Sequence, residues 1–273
     1  VTAALFEIDR LSFAYESRRV LAQVTLAIAE ASFTGIVGPN GSGKTTLLEL
    51  LGGLRRPAEG RIRLKGRELA SYPRRELARR LALVPQDFYI NFPFSVQEVV
   101  AMGRAPHIPR FGRPGRRDRE RVWAAMAAAG VAEFAARFVT ELSGGERQRV
   151  VFARALAQDT PVLLLDEATS NLDIGQALRL LSIAGRSVRR EGRTVVAVFQ
   201  DINQAAACCD RLIVLSNGRV AACGATDEVL TPATIRAVFG VESRVVRDDF
   251  AGGMQVVFRR GAAHLPGEAG HAA

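Results

Sequence analysis

The sequence predicts an α/β fold with a mainly parallel sheet core and an inserted helical segment. Two observations lead there. Short apolar runs at 33–37, 162–165, 194–199 and 211–215 are separated by helical segments, the pattern of parallel strands buried on both faces. Between about 88 and 160 the strand pattern gives way to helical spacing, so helices are inserted between sheet-forming parts. With 273 residues, 48% of them hydrophobic and 24% charged, the chain can bury the core of one large domain with at most an appendage.

In chain order, 5–9 alternates as a half-buried strand and 24–28 follows it as a second. The run 33–37 leads into a glycine-rich turn, from which 45–51 continues as a helix. A strand at 61–64 follows the turn at Gly60, the charged stretch 74–80 reads as helix, and 81–84 is a short apolar strand. Ser95 stands at the N-cap of a helix over 96–102, and an alanine-rich helical pattern starts at Arg119. From about 241 the stretches 244–247 and 254–258 read as a small β-like appendage. A Gly/Ala-rich tail, expected to be disordered, begins at 262.

The formal charge of +9 fits either an anionic partner or a solvated surface, and the scatter of arginines over many helices favours the surface. No apolar run approaches the roughly 18 to 20 residues that span a bilayer, and the alanine-rich 123–139 carries Glu133 and Arg137. Residues 1–6 show no basic region followed by a long apolar core, so no secretory signal is visible in them. Cys208, Cys209 and Cys223 have neither zinc-ligand spacing nor an even count, and buried thiols in a reducing cytoplasm are expected.

Three motifs carry chemistry. Gly38-Pro39-Asn40-Gly41-Ser42-Gly43-Lys44-Thr45 fits G-x-x-x-x-G-K-[ST], after an apolar strand and at the start of a helix. Its backbone N–H groups would close around phosphate, Lys44 would reach the terminal phosphates of ATP, and Thr45 would ligate Mg²⁺. The strand 162–165 ends in Asp166-Glu167, where α/β sheets present their ligand sites. There Asp166 would hold the metal and Glu167 would polarise the attacking water. Leu142-Ser143-Gly144-Gly145-Glu146 has capping-box spacing and a glycine-rich helix start, a second anion cradle or simply a well-capped helix.

With these residues the sequence resembles the ATP-binding subunits of ABC transporters from Leu5 to about Gly240. The resemblance implies the ABC-ATPase fold of P-loop NTPases, with an antiparallel β subdomain, a helical subdomain at about 88–160, and an appendage over 241–273. It extends the phosphate loop to Thr46, makes Gln86 a magnesium contact, and matches Tyr15 to the aromatic that stacks on adenine. It assigns Ser170-Asn171-Leu172-Asp173 to a loop crossing a dimer interface. Two copies would enclose ATP head to tail, each nucleotide lying between one phosphate loop and the other copy's Ser143-Gly144-Gly145-Glu146. ATP-driven closure would work a membrane permease docked at 88–103, with Tyr89, Phe92 and Phe94 as contacts. The subunit would therefore sit on the cytoplasmic face of the membrane.

The stretch 99–107, with 142–150, 155–159 and 172–174, is similar to importers of ferric siderophores, haem or cobalamin, which work with a separate substrate-binding protein. Two positions depart from that family. Gln200 stands where a histidine usually contacts the γ-phosphate, and its amide can donate a hydrogen bond but cannot become a cation. Slower hydrolysis is expected. Ala168 stands where many relatives carry proline. The alternatives are a nucleotide-dependent clamp that turns over slowly, or another ABC-class ATPase; nucleic acid is not an expected partner. His107 has no second ligand near it in sequence and reads equally as a structural residue.

Overall fold

The computed structural model describes residues 3–88, 92–250 and 252–259. The chain opens with a hairpin, β1 (Ala4–Tyr15) and β2 (Arg18–Ala29), longer than the alternating stretches suggest. Register shifts interrupt the pairing, so the simple alternation breaks while the ladder continues. β3 (Phe33–Val37) leads into α1 (Lys44–Leu51), followed by β4 (Glu59–Leu64) and the short β5 (Arg67–Glu68). α2 (Arg74–Leu77) ends earlier than the predicted 74–80 and precedes β6 (Leu81–Val84).

The inserted helices are α3 (Val96–Met102), α4 (Arg116–Ala129) and α5 (Gly144–Gln158). β7 (Val162–Asp166), α6 (Ile174–Glu191), β8 (Thr194–Val198), α7 (Ile202–Cys208) and β9 (Arg211–Ser216) then alternate as expected. β10 (Arg219–Ala225), α8 (Thr226–Val229), α9 (Pro232–Phe239) and the hairpin β11 (Ser243–Asp248) with β12 (Gly253–Phe258) complete the described chain. The predicted tail from 262 lies outside the described residues.

The six-stranded sheet runs β10-β9-β3-β8-β7-β6, parallel throughout except for β10. A second, antiparallel sheet has the order β2-β1-β4-β5. Side chains of the central strands divide by parity. Ile36, Val162, Leu164 and Val196 pack with β1, β2 and α1, whereas Val37, Leu163, Leu165 and Val195 pack with the inserted helices and α6. Both faces are therefore apolar, which is why these strands read as continuous hydrophobic runs. Each fully buried leucine contributes about 2 kcal/mol, and this packing fixes the C-terminal ends of β3, β7 and β8 against one another.

Asn217-Gly218 makes the turn into β10, with φ of 48° and 72°. Two positive φ values in a two-residue loop match a twisted hairpin, and this dipeptide is the signal that would have revealed β10. β10 also corrects one expectation. Cys209 is buried and Cys208 half-buried, but Cys223 is exposed, because β10 forms the sheet edge.

The inserted helices are joined by a buried arginine. Arg104, 5% exposed, pairs with Asp118 at 3.0 Å and donates to the Ala157 carbonyl at 2.8 Å. It thereby links the end of α3 to α4 and α5. His107 has a structural role, its Nε2 lying 2.8 Å from the Gln158 carbonyl oxygen. At the other end of the chain, β12 packs on α7, with Val256 in the same core as Ala205 and Ala206.

Candidate active site

Between β3 and α1 the backbone makes a loop that most side chains would prevent. Gly38 and Gly43 have φ of 153° and 97°. A Cβ on Gly38 would collide with the Leu215 carbonyl oxygen, and one on Gly43 would meet the Leu21 side chain at 2.6 Å. Glycine is required by both conformation and space. The Ser42 N–H donates to the Pro39 carbonyl at 3.2 Å and closes the loop.

Lys44 is buried, 6% exposed, with its Nζ donating to the carbonyl oxygens of Gly38 (2.9 Å) and Pro39 (3.0 Å). Burial pushes its pKa down, while the nearby Glu167 and Asp166 carboxylates oppose that shift. Its ammonium is held across the loop it serves. Thr45 Oγ1 donates to Asp166 Oδ1 at 3.0 Å. Burial raises the Asp166 pKa to about 6, with the Thr45 hydrogen bond acting the other way.

Glu167 follows at a φ of 45°, a left-handed conformation that turns the chain sharply at the strand end. It is 8% exposed and accepts a hydrogen bond from Gln200 Nε2, which comes from the end of β8. Adjacent parallel strands thus bring the carboxylate and the amide together. Tyr15, from the end of β1, donates to Glu49 Oε2 at 3.2 Å, and the Arg55 guanidinium lies 4.6 Å from its ring centroid.

Tyr15, Asn40, Gly41, Gly43, Lys44, Thr45, Thr46, Gln86, Glu167 and Gln200 line one open cleft of about 660 Å³. Arg18 and Val20 of β2 complete its wall, and the sequence reading missed both. They stand just beyond Tyr15 in sequence, but their contribution depends on how the hairpin folds over the phosphate loop. Hydroxyl, carboxylate and amide oxygens from Thr45, Asp166 and Gln86 form the hard donor set that Mg²⁺ takes while retaining several waters. The residues present therefore fit that ion. Among the described residues no cluster of three or more His, Cys, Asp or Glu side chains forms a separate metal centre.

Ser143, Gly144, Gly145 and Glu146 do not line this cleft. They form the capped start of α5, where Ser143 Oγ accepts the Glu146 N–H at 3.3 Å and Glu146 Oε2 accepts the Ser143 N–H at 2.8 Å. The backbone hydrogen bond from Ser143 is the main reason the Glu146 pKa is lowered. Gly144 borders a different depression, shared with Gln86, Phe88 and Asn171. Asp173 caps α6, its Oδ1 accepting the Gln176 N–H at 2.8 Å. Of the expected permease contacts, Phe92 is 69% exposed and Phe94 38%, while Tyr89 lies outside the described residues.

Residues 21–170, from the β1–β2 hairpin past Glu167, match the family described as ABC transporter. The chain is a member of the ABC transporter family. It is 47% identical over 238 residues to the cobalamin import ATP-binding protein BtuD of Halobacterium salinarum, covering 87% of this chain and 59% of that protein. It therefore spans about three-fifths of the length of those cobalamin relatives. It is 40% identical over 249 residues to the ferric enterobactin transport ATP-binding protein FepC of Escherichia coli K12, covering 91% of this chain and 92% of the relative.

Among solved ABC structures, one described as an inward-facing metal-chelate type ABC transporter superposes with a TM-score of 0.79 at 28% identity. It covers 94% of this chain and 97% of its own. A dimeric post-hydrolysis state of the ATP-binding cassette MJ0796, bound to ADP and Pi, gives 0.73 at 29% identity, covering 81% and 98%. No helix among the described residues is long and apolar enough to cross a membrane.

Proposed function

We propose that this ABC family member is the ATP-binding and ATP-hydrolysing subunit of an importer for a metal chelate of the siderophore, haem or cobalamin type. One observation carries the reading. Lys44, Thr45, Gln86, Glu167 and Gln200, from four separate segments, meet on one cleft, while Ser143-Gly144-Gly145-Glu146 lies outside it on the same chain. The transport proteins named among the relatives support the cargo class.

In this reading the loop from Gly38 to Thr46 wraps the phosphates and Lys44 places its ammonium on the terminal ones. Thr45, Gln86 and Asp166 hold Mg²⁺, which when bound neutralises phosphate charge. Glu167 aligns the attacking water and draws its proton, and Gln200 holds the Glu167 carboxylate in place. Tyr15 stacks on adenine. Ser143, Gly144, Gly145 and Glu146 of a second copy cover the nucleotide from the other side, with Asp173 in the loop between copies. Closure of the pair works a permease docked at 88–103, and a substrate-binding protein contributes through that permease. This organisation puts residues 1–240 in the ATP-binding domain, at the cytoplasmic face of the membrane.

The Gln200–Glu167 hydrogen bond favours one second reading, a clamp that closes on ATP and reopens slowly, because part of the base's hydrogen-bonding capacity is taken by an amide that cannot relay a proton. Phosphate release from MgATP by the purified chain, beside a Glu167→Gln control, tests both. Steady release that depends on Glu167 supports the transport ATPase. Nucleotide binding without turnover, even with the permease present, supports the clamp.

A further inference from the structure

The first turn of α7 and the residue ahead of it are tied to two parts of the molecule, the loop after β7 and the C-terminal hairpin. Gln200, just ahead of the helix, donates to Glu167 Oε2. Gln204 Oε1 accepts from Thr169 Oγ1 at 3.0 Å, two residues beyond Glu167. Asn203, between them in sequence, faces the C-terminal hairpin. Its Nδ2 donates to the Val256 carbonyl at 3.2 Å and its Oδ1 accepts the Val256 N–H at 2.7 Å.

That pair of bonds imitates what a neighbouring strand would make with β12, and only a side-chain amide offers a donor and an acceptor in one plane for it. Val256 is 3% exposed, so water is a poor substitute partner. Gly253, on the same strand, leaves little room beside α7: an added Cβ there would lie 3.4 Å from the Ala206 carbonyl oxygen and 3.4 Å from the Ala207 Cα. α7 has seven residues, too few to hold a direction by its own hydrogen bonds, so its external contacts set its orientation.

We infer that Asn203 is a positioning residue for ATP hydrolysis: by clamping β12 to the first turn of α7 it fixes where Gln200 presents its amide to Glu167. The inference rests on the reading of Glu167 and Gln200 as the hydrolytic pair. The C-terminal hairpin, which carries no catalytic motif, thereby supports the site through its contact with α7.

The test combines kinetics with a measurement that needs no turnover. Asn203→Ala is expected to lower kcat about tenfold, the scale of one or two lost buried hydrogen bonds, with KM for ATP within about twofold. In a Gln200→Ala background the same change should lower kcat less than about twofold further, since the group being positioned is gone. Asn203→Asp retains an acceptor for the Val256 N–H and should fall between, which separates positioning from misfolding. In the nucleotide-free protein, the Gln200 side-chain amide protons should exchange measurably faster in Asn203→Ala by NMR.

Equal losses of kcat in both backgrounds, a rise in KM alone, or unchanged Gln200 amide exchange would each overturn the inference. If the wild-type chain hydrolyses no ATP but the Gln200 amide responds to Asn203→Ala, the hydrolytic reading fails and the mechanical link stands.

Discussion

Thr45 Oγ1 and Asp166 Oδ1 lie 3.0 Å apart across 121 residues of sequence, the first on the helix that follows the phosphate loop and the second at the end of β7. The bond draws together two oxygen groups that fit one divalent cation. Thr45→Val, which keeps the shape and removes the hydroxyl, should reduce hydrolysis at least tenfold, and Thr45→Ser should retain most of it. Removing free divalent cations with EDTA should abolish phosphate release, and adding Mg²⁺ should restore it. Full activity in EDTA would remove the metal from the proposal.

Glu167 is where binding and turnover should separate. Glu167→Gln keeps the side-chain volume and loses the base, so hydrolysis should fall by about 10² to 10⁴, the usual range for a general base. ATP affinity, measured with a fluorescent analogue, should stay within a few-fold. The same variant should accumulate as an ATP-dependent dimer on size-exclusion chromatography, and a persistently monomeric elution would count against the two-copy arrangement.

Gln200 offers Glu167 an amide where a titrating imidazole is expected. Gln200→His should raise the hydrolytic rate severalfold, and Gln200→Ala should lower it. An unchanged rate in the histidine variant would mean that the amide imposes no slowing.

The inserted helices depend on Arg104 and Asp118. Asp118→Ala would leave the buried guanidinium with, among the described residues, the Ala157 carbonyl as its one partner and should destabilise the fold by about 3 kcal/mol, read as a lower denaturant midpoint. The backbone N–H of Gly115, and then Arg104, hold the Asp118 carboxyl below its ordinary value. A depressed carboxyl contributes stability above its unfolded pKa, about 3.9, which is lost as pH falls through the lower folded value. Acid unfolding of Asp118→Asn should therefore have a shallower limb below about pH 4 than wild type.

Much of the site was legible because its chemistry is local. The loop from Gly38 to Thr45 and the pair Asp166-Glu167 each sit within a few residues of a strand end, and the two motifs taken together point to the roles proposed for them. The contacts between them were not legible. Thr45 meets Asp166 only because β3, β8 and β7 lie side by side, and no spacing in the chain encodes that strand order. Arg18 and Val20 escaped notice for the same reason, since the hairpin must fold over the loop before they border the cleft. The length of β1 and β2 was hidden by register shifts that break the two-residue period. β10 was hidden only by stopping at Leu215, one residue before Ser216 and the Asn217-Gly218 turn. The Asn203 clamp pairs a side chain with the backbone of a strand more than fifty residues on, a relationship that residue type cannot announce.

The capped helix start at Ser143 stands apart from the cleft on its own chain, and this has a genetic reading. If each nucleotide draws one wall from either chain, a subunit crippled at Lys44 and another crippled at Ser143 are each useless when paired with their own kind. Paired with each other, they would concentrate both lesions in one compartment and leave the other whole. Two dead alleles expressed in the same cell should then give back part of the transport that neither supplies alone.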